Sequence, residues 1–194
     1  RSSTDDNLLA FLERPKNTSQ IRGLVLILHG LGGSSRRMGL RRMAAALIQE
    51  GFAVLKLNLR GADPGRHLAA GTYSAKCNSD LIPAICKARK ICNLLGQENN
   101  GEQTNLPLYG VGISLGGTIL LNACLGKQTS ASLSNPILDA LVCISSPLDL
   151  AACSSSIERP RNFIYQSWLL NRLVRQTLAD PFGINQKEKD LLIN

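Results

Sequence analysis

A serine with two glycines placed two residues to either side is the chemistry-bearing feature of this chain. It lies in Leu108-Tyr109-Gly110-Val111-Gly112-Ile113-Ser114-Leu115-Gly116-Gly117. An apolar run leads in, and a second apolar run, Thr118 to Leu125, leaves at helical spacing. A strand–turn–helix of this kind is the setting of a nucleophile elbow. The turn brings residues either side of the serine so close that Gly112 and Gly116 must lack a Cβ. It lifts the Ser114 hydroxyl to the carboxyl end of a sheet, ready to attack a carbonyl carbon. A phosphate-binding loop is the rival reading, since Gly112 and Gly117 have its separation. That motif needs a lysine where this chain has Thr118. A chance match in a glycine- and serine-bearing loop is the bland one.

A second loop supports the first. Leu24 to Leu28 is a short, wholly apolar run that ends in His29-Gly30-Leu31-Gly32-Gly33-Ser34-Ser35. An all-apolar strand suits the centre of a parallel sheet covered on both faces. The turn after it would give one backbone N–H of an oxyanion hole, from Leu31. The second would come from Leu115, just after the nucleophile. A dinucleotide fingerprint fails because its third glycine would fall on Ser35, and a plain strand–helix turn is the remaining alternative. His29 and Gly30 read as supporting this loop; His29 comes too early in the chain for the usual serine–acid–histidine order.

Those two loops need a framework, and the pattern around them alternates. Strands are expected near Leu8–Leu12, Leu24–Leu28, Phe52–Leu59, Leu108–Ile113 and Leu138–Ser145. Helices are expected over Ser35–Gln49, Asp80–Leu95 with Pro83 in its first turn, the segment after Ser114, and Asn162–Leu178. Strand–helix alternation predicts an α/β fold, a mostly parallel sheet with helices on both faces. The chain has 194 residues, 44% hydrophobic and 19% charged, one domain's worth of an ordinary globular protein.

The net charge of +8 concentrates in Arg36, Arg37, Arg41 and Arg42. No aromatic interleaving or nucleic-acid motif accompanies them, so no nucleic-acid partner is expected. A solvated helix face is the default reading, and weak association with an anionic membrane surface or anionic substrates is the functional one. No run is long and apolar enough to span a bilayer, and no signal-peptide pattern opens the sequence, which begins at Arg1. Six cysteines without a C-x-x-C pair suggest reduced thiols and a cytoplasmic location, with no metal and no cofactor. Asn17-Thr18-Ser19 matches a glycosylation acceptor but has no secretory context.

The runs LVLILHGLGGSSRR, GFAVLKLNLRGAD, LYGVGISLGGTILL and LDALVCISSPLDLAACSSSIERPRNFIYQSWLLNRLVRQ together resemble the YheT-like, embryogenesis-associated branch of the α/β-hydrolases. The resemblance runs along nearly the whole chain. It implies an α/β-hydrolase core over residues 1–150 and the start of a helical cap over 151–194, with the C-terminal strands missing. It also implies a serine hydrolase of the carboxylesterase or acyl-lipid type, with an ester or acyl-lipid substrate. Ser114 corresponds to the family's nucleophile, and His29 through Gly33 to its oxyanion loop. Tyr73-Ser74-Ala75-Lys76 departs from the family's Tyr-His-Ser-Gly. The family carries its acid and histidine beyond the cap, whereas this sequence stops at Asn194. His67 reads as substrate-facing or merely exposed, and Asp149 as the acid or as a helix-starting residue. The chain by itself is therefore expected to be almost inactive, a fragment or truncated gene product. The alternative is a non-catalytic, degenerate α/β-hydrolase-fold protein with an interaction role.

Overall fold

The computed structural model describes residues 6–16, 20–98, 105–126 and 137–193; Asn17-Thr18-Ser19 and most of the polar stretch after Gln97 lie outside them. Five strands form one sheet: β1 (Ala10–Glu13), β2 (Leu24–Leu28), β3 (Ala53–Leu57), β4 (Leu108–Ile113) and β5 (Ala140–Ile144). Their spatial order is β1-β3-β2-β4-β5, with β1 antiparallel to β3 and every other pairing parallel.

Helices α1 (Met38–Gln49), α2 (Asn78–Glu98) and α3 (Leu115–Leu125) connect the parallel strands. Each parallel crossover must return over a face of the sheet, and these helices divide between the two faces. Val25, Ile27 and Val54 pack under Leu40 and Ala44 of α1. Leu24, Leu26, Leu28 and Leu55 turn the other way, toward Leu81 and Ile85 of α2 and Ile119 and Leu120 of α3. All five residues of β2 are buried, as a strand covered on both sides requires. The sheet thins toward β5, an edge strand on which Val142 is 53% exposed.

The chain then runs through α4 (Leu150–Ile157), α5 (Phe163–Leu178) and α6 (Gln186–Ile193). Asp149 opens α4, its carboxylate accepting the Ala152 N–H at 2.9 Å, which is the helix-starting role. Helix α4 was foreseen only through Asp149 as a helix-starting residue, and α6 was not expected; both are only eight residues long, too short for a clear periodic signal.

Two boundaries differ from expectation for identifiable reasons. Helix α1 begins at Met38 because the Ser35 N–H is taken by Asn58 Oδ1 at 2.9 Å and Arg37 is extended at ψ 139°. Helix α2 begins two residues early, with the Asp80 and Leu81 N–H groups both donating to Cys77 O at 3.1 Å. Pro83 thereby falls inside the helix and not in its first turn. Arg60 reinforces that start, with Nε donating to Asp80 Oδ2 at 2.8 Å and a terminal nitrogen to Oδ1 at 2.7 Å. Its other terminal nitrogen reaches Asp6 at 2.6 Å.

Candidate active site

The connection from β2 runs out to β3 on one side, and the connection from β4 runs to β5 on the other. The carboxyl ends of β2 and β4 therefore flank the switch point of the sheet, where open α/β sheets hold their ligands. Ser114 follows the last residue of β4 and His29 follows the last residue of β2, so both sequence-predicted loops arrive in that crevice together.

Ser114 is half-buried at φ 53° and ψ −127°, a conformation L-residues rarely adopt. Backbone in that region costs on the order of 1–3 kcal/mol and survives only where its surroundings fix it. Here Ser114 N–H donates to Ile144 O at 2.8 Å, and Gly117 N–H to Ser114 O at 3.0 Å. The flanking glycines behave as the spacing demands. A Cβ on Gly112 would run into the Gly117 backbone, and one on Gly116 would stand 2.5 Å from His29 O. The two loops touch, since a Cβ on Gly30 would come within 2.9 Å of Ser114 Cβ and 3.5 Å of its Oγ. Thr118 is buried and donates to Pro147 O at 2.7 Å. Its hydroxyl is thus committed to the loop after β5 and not to a phosphate.

Leu115 is the first residue of α3, so its N–H has no acceptor within the helix. On the facing loop, Gly32 N–H goes to Tyr73 Oη at 2.8 Å and Gly33 N–H to Gly30 O at 3.0 Å. Leu31 stands between Gly30 and Gly32 with its side chain 39% exposed, and its amide has no acceptor among the described residues. The site thus offers a strained hydroxyl and two uncommitted amides at the ends of neighbouring parallel strands.

His29 is fully buried. Its Nε2 accepts the Leu59 N–H at 3.2 Å, so the proton sits on Nδ1 and is donated to Gly30 O at 2.9 Å. Burial lowers its pKa, against a smaller opposing pull from the Gly30 carbonyl. Both ring nitrogens are occupied in holding the loop, so the imidazole has none free to take a proton from Ser114. His67, in a 3-10 turn at Arg66–Leu68, is exposed and makes no hydrogen bond to Ser114.

Three supporting side chains were given no role at this loop from the sequence, Tyr73 being named only within the Tyr73-Ser74-Ala75-Lys76 stretch. Tyr73 accepts from Gly32 and donates to Gly30 O at 3.1 Å, and its ring meets His29 edge-on at 5.6 Å. Burial pushes its phenol up to about 12. Asn58 ties the end of β3 to the loop through Ser35 and reaches Leu9 O at 3.2 Å. Arg172, on α5, donates its Nε to Gly32 O. A polar residue ending an apolar strand was a signal for Asn58. Nothing local marks Tyr73 or Arg172, which lie 41 and 140 positions from Gly32.

A serine raised on a strained strand-to-helix turn beside a glycine-rich loop, at the switch point of a mostly parallel sheet, defines an α/β-hydrolase. Over residues 19–191 the chain matches the family described as serine aminopeptidase, S33, and it belongs to that family.

Human phospholipase ABHD3 is 25% identical over 187 residues, covering 96% of this chain and 41% of that protein. YheT of Escherichia coli strain K12 is 28% identical over 165 residues, covering 85% of this chain and 44% of that protein. The medium-chain fatty acid ethyl ester synthase/esterase 2 of Saccharomyces cerevisiae is 28% identical over 166 residues, covering 85% and 33%. The chain thus spans less than half the length of these relatives. Among solved structures, a thermostable carboxyl esterase from Bacillus coagulans in complex with glycerol shares the fold. It aligns at a TM-score of 0.55 and 20% identity, over 86% of this chain and 49% of that one.

Proposed function

We propose that this chain carries the nucleophile and oxyanion hole of a serine hydrolase acting on carboxylic esters, of the carboxylesterase or acyl-lipid type. The observation that supports it best is the Ser114 backbone at φ 53°, held beside Gly30. Ser145 also has a positive φ, at 49°, but only Ser114 combines one with a turn that packs against the glycine-rich loop at Gly30, and strained backbone of this kind clusters at functional sites. The esterase and phospholipase names of the relatives agree with it.

In this reading Ser114 Oγ attacks the acyl carbon as a base withdraws its proton, forming a tetrahedral oxyanion. The Leu31 and Leu115 N–H groups receive that oxyanion, each lowering the barrier by about 3 kcal/mol. Collapse breaks the ester bond, and the alcohol leaves with the proton returned by the base. Water then adds to the acyl-serine and releases the carboxylic acid. Gly112 and Gly116 permit the turn, and Gly30 permits the approach of the two loops. His29 positions the oxyanion loop as a neutral ring.

The base and its acid are assigned to residues outside these 194, because neither histidine is placed to serve. Without them the rate falls by several orders of magnitude. Helices α4–α6 are assigned to a cap over the site, and residues before them to the core. The cytoplasm is the proposed location, consistent with six unpaired cysteines. Among the described residues no helix is long and apolar enough to cross a membrane.

The experiment is labelling with a fluorophosphonate, on this chain and on the longest natural protein that contains it. Labelling of the longer protein at Ser114, lost in Ser114→Ala, is expected, with slow labelling of the 194 residues alone. A folded longer protein that never labels would favour the non-catalytic reading.

A further inference from the structure

Beside the oxyanion loop lies an open groove of about 660 Å³. Gly32, Gly33 and Ser34 form one wall; α5 forms another with Trp168, Arg172 and Arg175. Arg36 and Arg37 enter from the turn before α1, and Arg66 from the loop after β3. Five guanidiniums face one carboxylate there, that of Asp63, a formal excess of four positive charges.

Their local bonds do not absorb that charge. Asp63 is bound to Arg66 at 3.1 Å, while Arg66 also donates to Gln176 O at 3.1 Å and keeps a buried Nε with no acceptor. Arg172 uses its Nε on Gly32 O and lays its guanidinium over the Trp168 ring at 5.9 Å. Arg36, Arg37 and Arg175 are exposed and form no ion pair among the described residues. Gathering like charges from three distant chain segments costs Coulomb energy that an anion between them reverses. Guanidinium forks match the oxygens of a phosphate, and a monoester dianion, with three terminal oxygens, uses more of them than a carboxylate.

We propose that this groove is a binding subsite for a phosphate monoester, formed by Arg36, Arg37, Arg66, Arg172 and Arg175. The proposal rests on the reading of the adjoining loop as an oxyanion hole insofar as the phosphate belongs to the substrate. A phosphate engaging Arg172 would sit against the residue that holds Gly32, next to Leu31. A zwitterionic choline headgroup fits less well. The cation–π gain at Trp168 is about 0.5–2 kcal/mol, and it is opposed by every guanidinium facing the quaternary ammonium.

Trp168 is the only tryptophan of the 194 residues, so its fluorescence reads this groove alone. The chain is titrated at low salt with inorganic phosphate, dihexanoyl phosphatidic acid and dihexanoyl phosphatidylcholine, each below its micellar concentration. Saturable changes are expected with the first two, with phosphatidylcholine at least about tenfold weaker. The doubly substituted Arg36→Gln, Arg175→Gln protein, with unchanged circular dichroism, should bind about tenfold or more weakly, as expected from losing charge-assisted bonds. Phosphatidic acid binding more tightly than phosphate places the anion on an acyl substrate; equal affinities make free phosphate the ligand. Both support the subsite. No saturable response to either phosphate, no preference over phosphatidylcholine, or an unchanged Kd in the doubly substituted protein overturns it. Ser114→Ala should titrate like the parent, so failure of labelling at Ser114 and failure of this groove are read separately.

Discussion

Replacing Tyr73 by Phe removes one oxygen and leaves the ring against His29. That oxygen accepts the Gly32 N–H at 2.8 Å and donates to Gly30 O at 3.1 Å. Gly32 is buried, and its amide would be left without an acceptor, a loss of about 1–3 kcal/mol. Gly30 O keeps the Gly33 N–H and the His29 Nδ1 proton, so its share is smaller, about 0.5 kcal/mol. The sum is about 1.5–3.5 kcal/mol, to be read from urea unfolding followed by far-ultraviolet circular dichroism. A second signature lies at alkaline pH. Burial raises the folded phenol from 10.0 to about 12, so its contribution is fully present below the unfolded value and is lost as pH rises toward the folded one. The parent should therefore lose up to about 3 kcal/mol more than Tyr73→Phe between those limits, lysines and cysteines cancelling in the difference. Labelling at Ser114 should slow by about 10–100-fold in the variant, because the Leu31 amide would no longer be held. A stability change below about 0.5 kcal/mol, together with parallel alkaline limbs, would refute the reasoning that this hydroxyl holds the glycine-rich loop after β2.

Ser114→Gly should stabilise the protein by about 1 kcal/mol while abolishing labelling, since glycine occupies that backbone region freely; a loss of stability in thermal melts would contradict the strain. Arg60→Met removes the cation that pairs with Asp6 and Asp80, both under one-fifth exposed, and should cost about 3–5 kcal/mol in denaturant unfolding; a neutral result would mean those carboxylates are better compensated than their burial implies. His29, its pKa depressed by burial, contributes stability that is present above its unfolded value of 6.5 and lost as pH falls through the folded one. A His29→Gln variant, less stable at neutral pH, should show a shallower acid limb than the parent, and identical limbs would place the acid sensitivity elsewhere.

The strand–turn–helix at Ser114 was legible because its constraint is local. Gly112, Ser114 and Gly116 meet one another within five residues, and the apolar runs on either side announce a strand and a helix. The central strand was equally plain, since Leu24 to Leu28 is buried throughout and has to be apolar at every position. Where partners come from far along the chain, the sequence is silent. Helix α1 starts late because Asn58, 23 positions away, takes the Ser35 amide, and no pattern within the helix contains that information. Arg172 falls within the helix expected over Asn162–Leu178 with nothing to set it apart, yet its Nε donates to Gly32 O. The arginines before α1 read as a solvated face. Only the fold brings two of them opposite Arg66, Arg172 and Arg175, turning a surface charge into a groove.

The outer rim of β5 has a consequence for handling the protein. Along its five residues one row of amides and carbonyls finds no neighbouring strand among the described residues, and no lysine or proline interrupts it. Such a rim is an open invitation to another extended chain. Concentrated samples of these 194 residues should build up by accretion along that rim, and a short peptide able to zip onto it should keep them monodisperse.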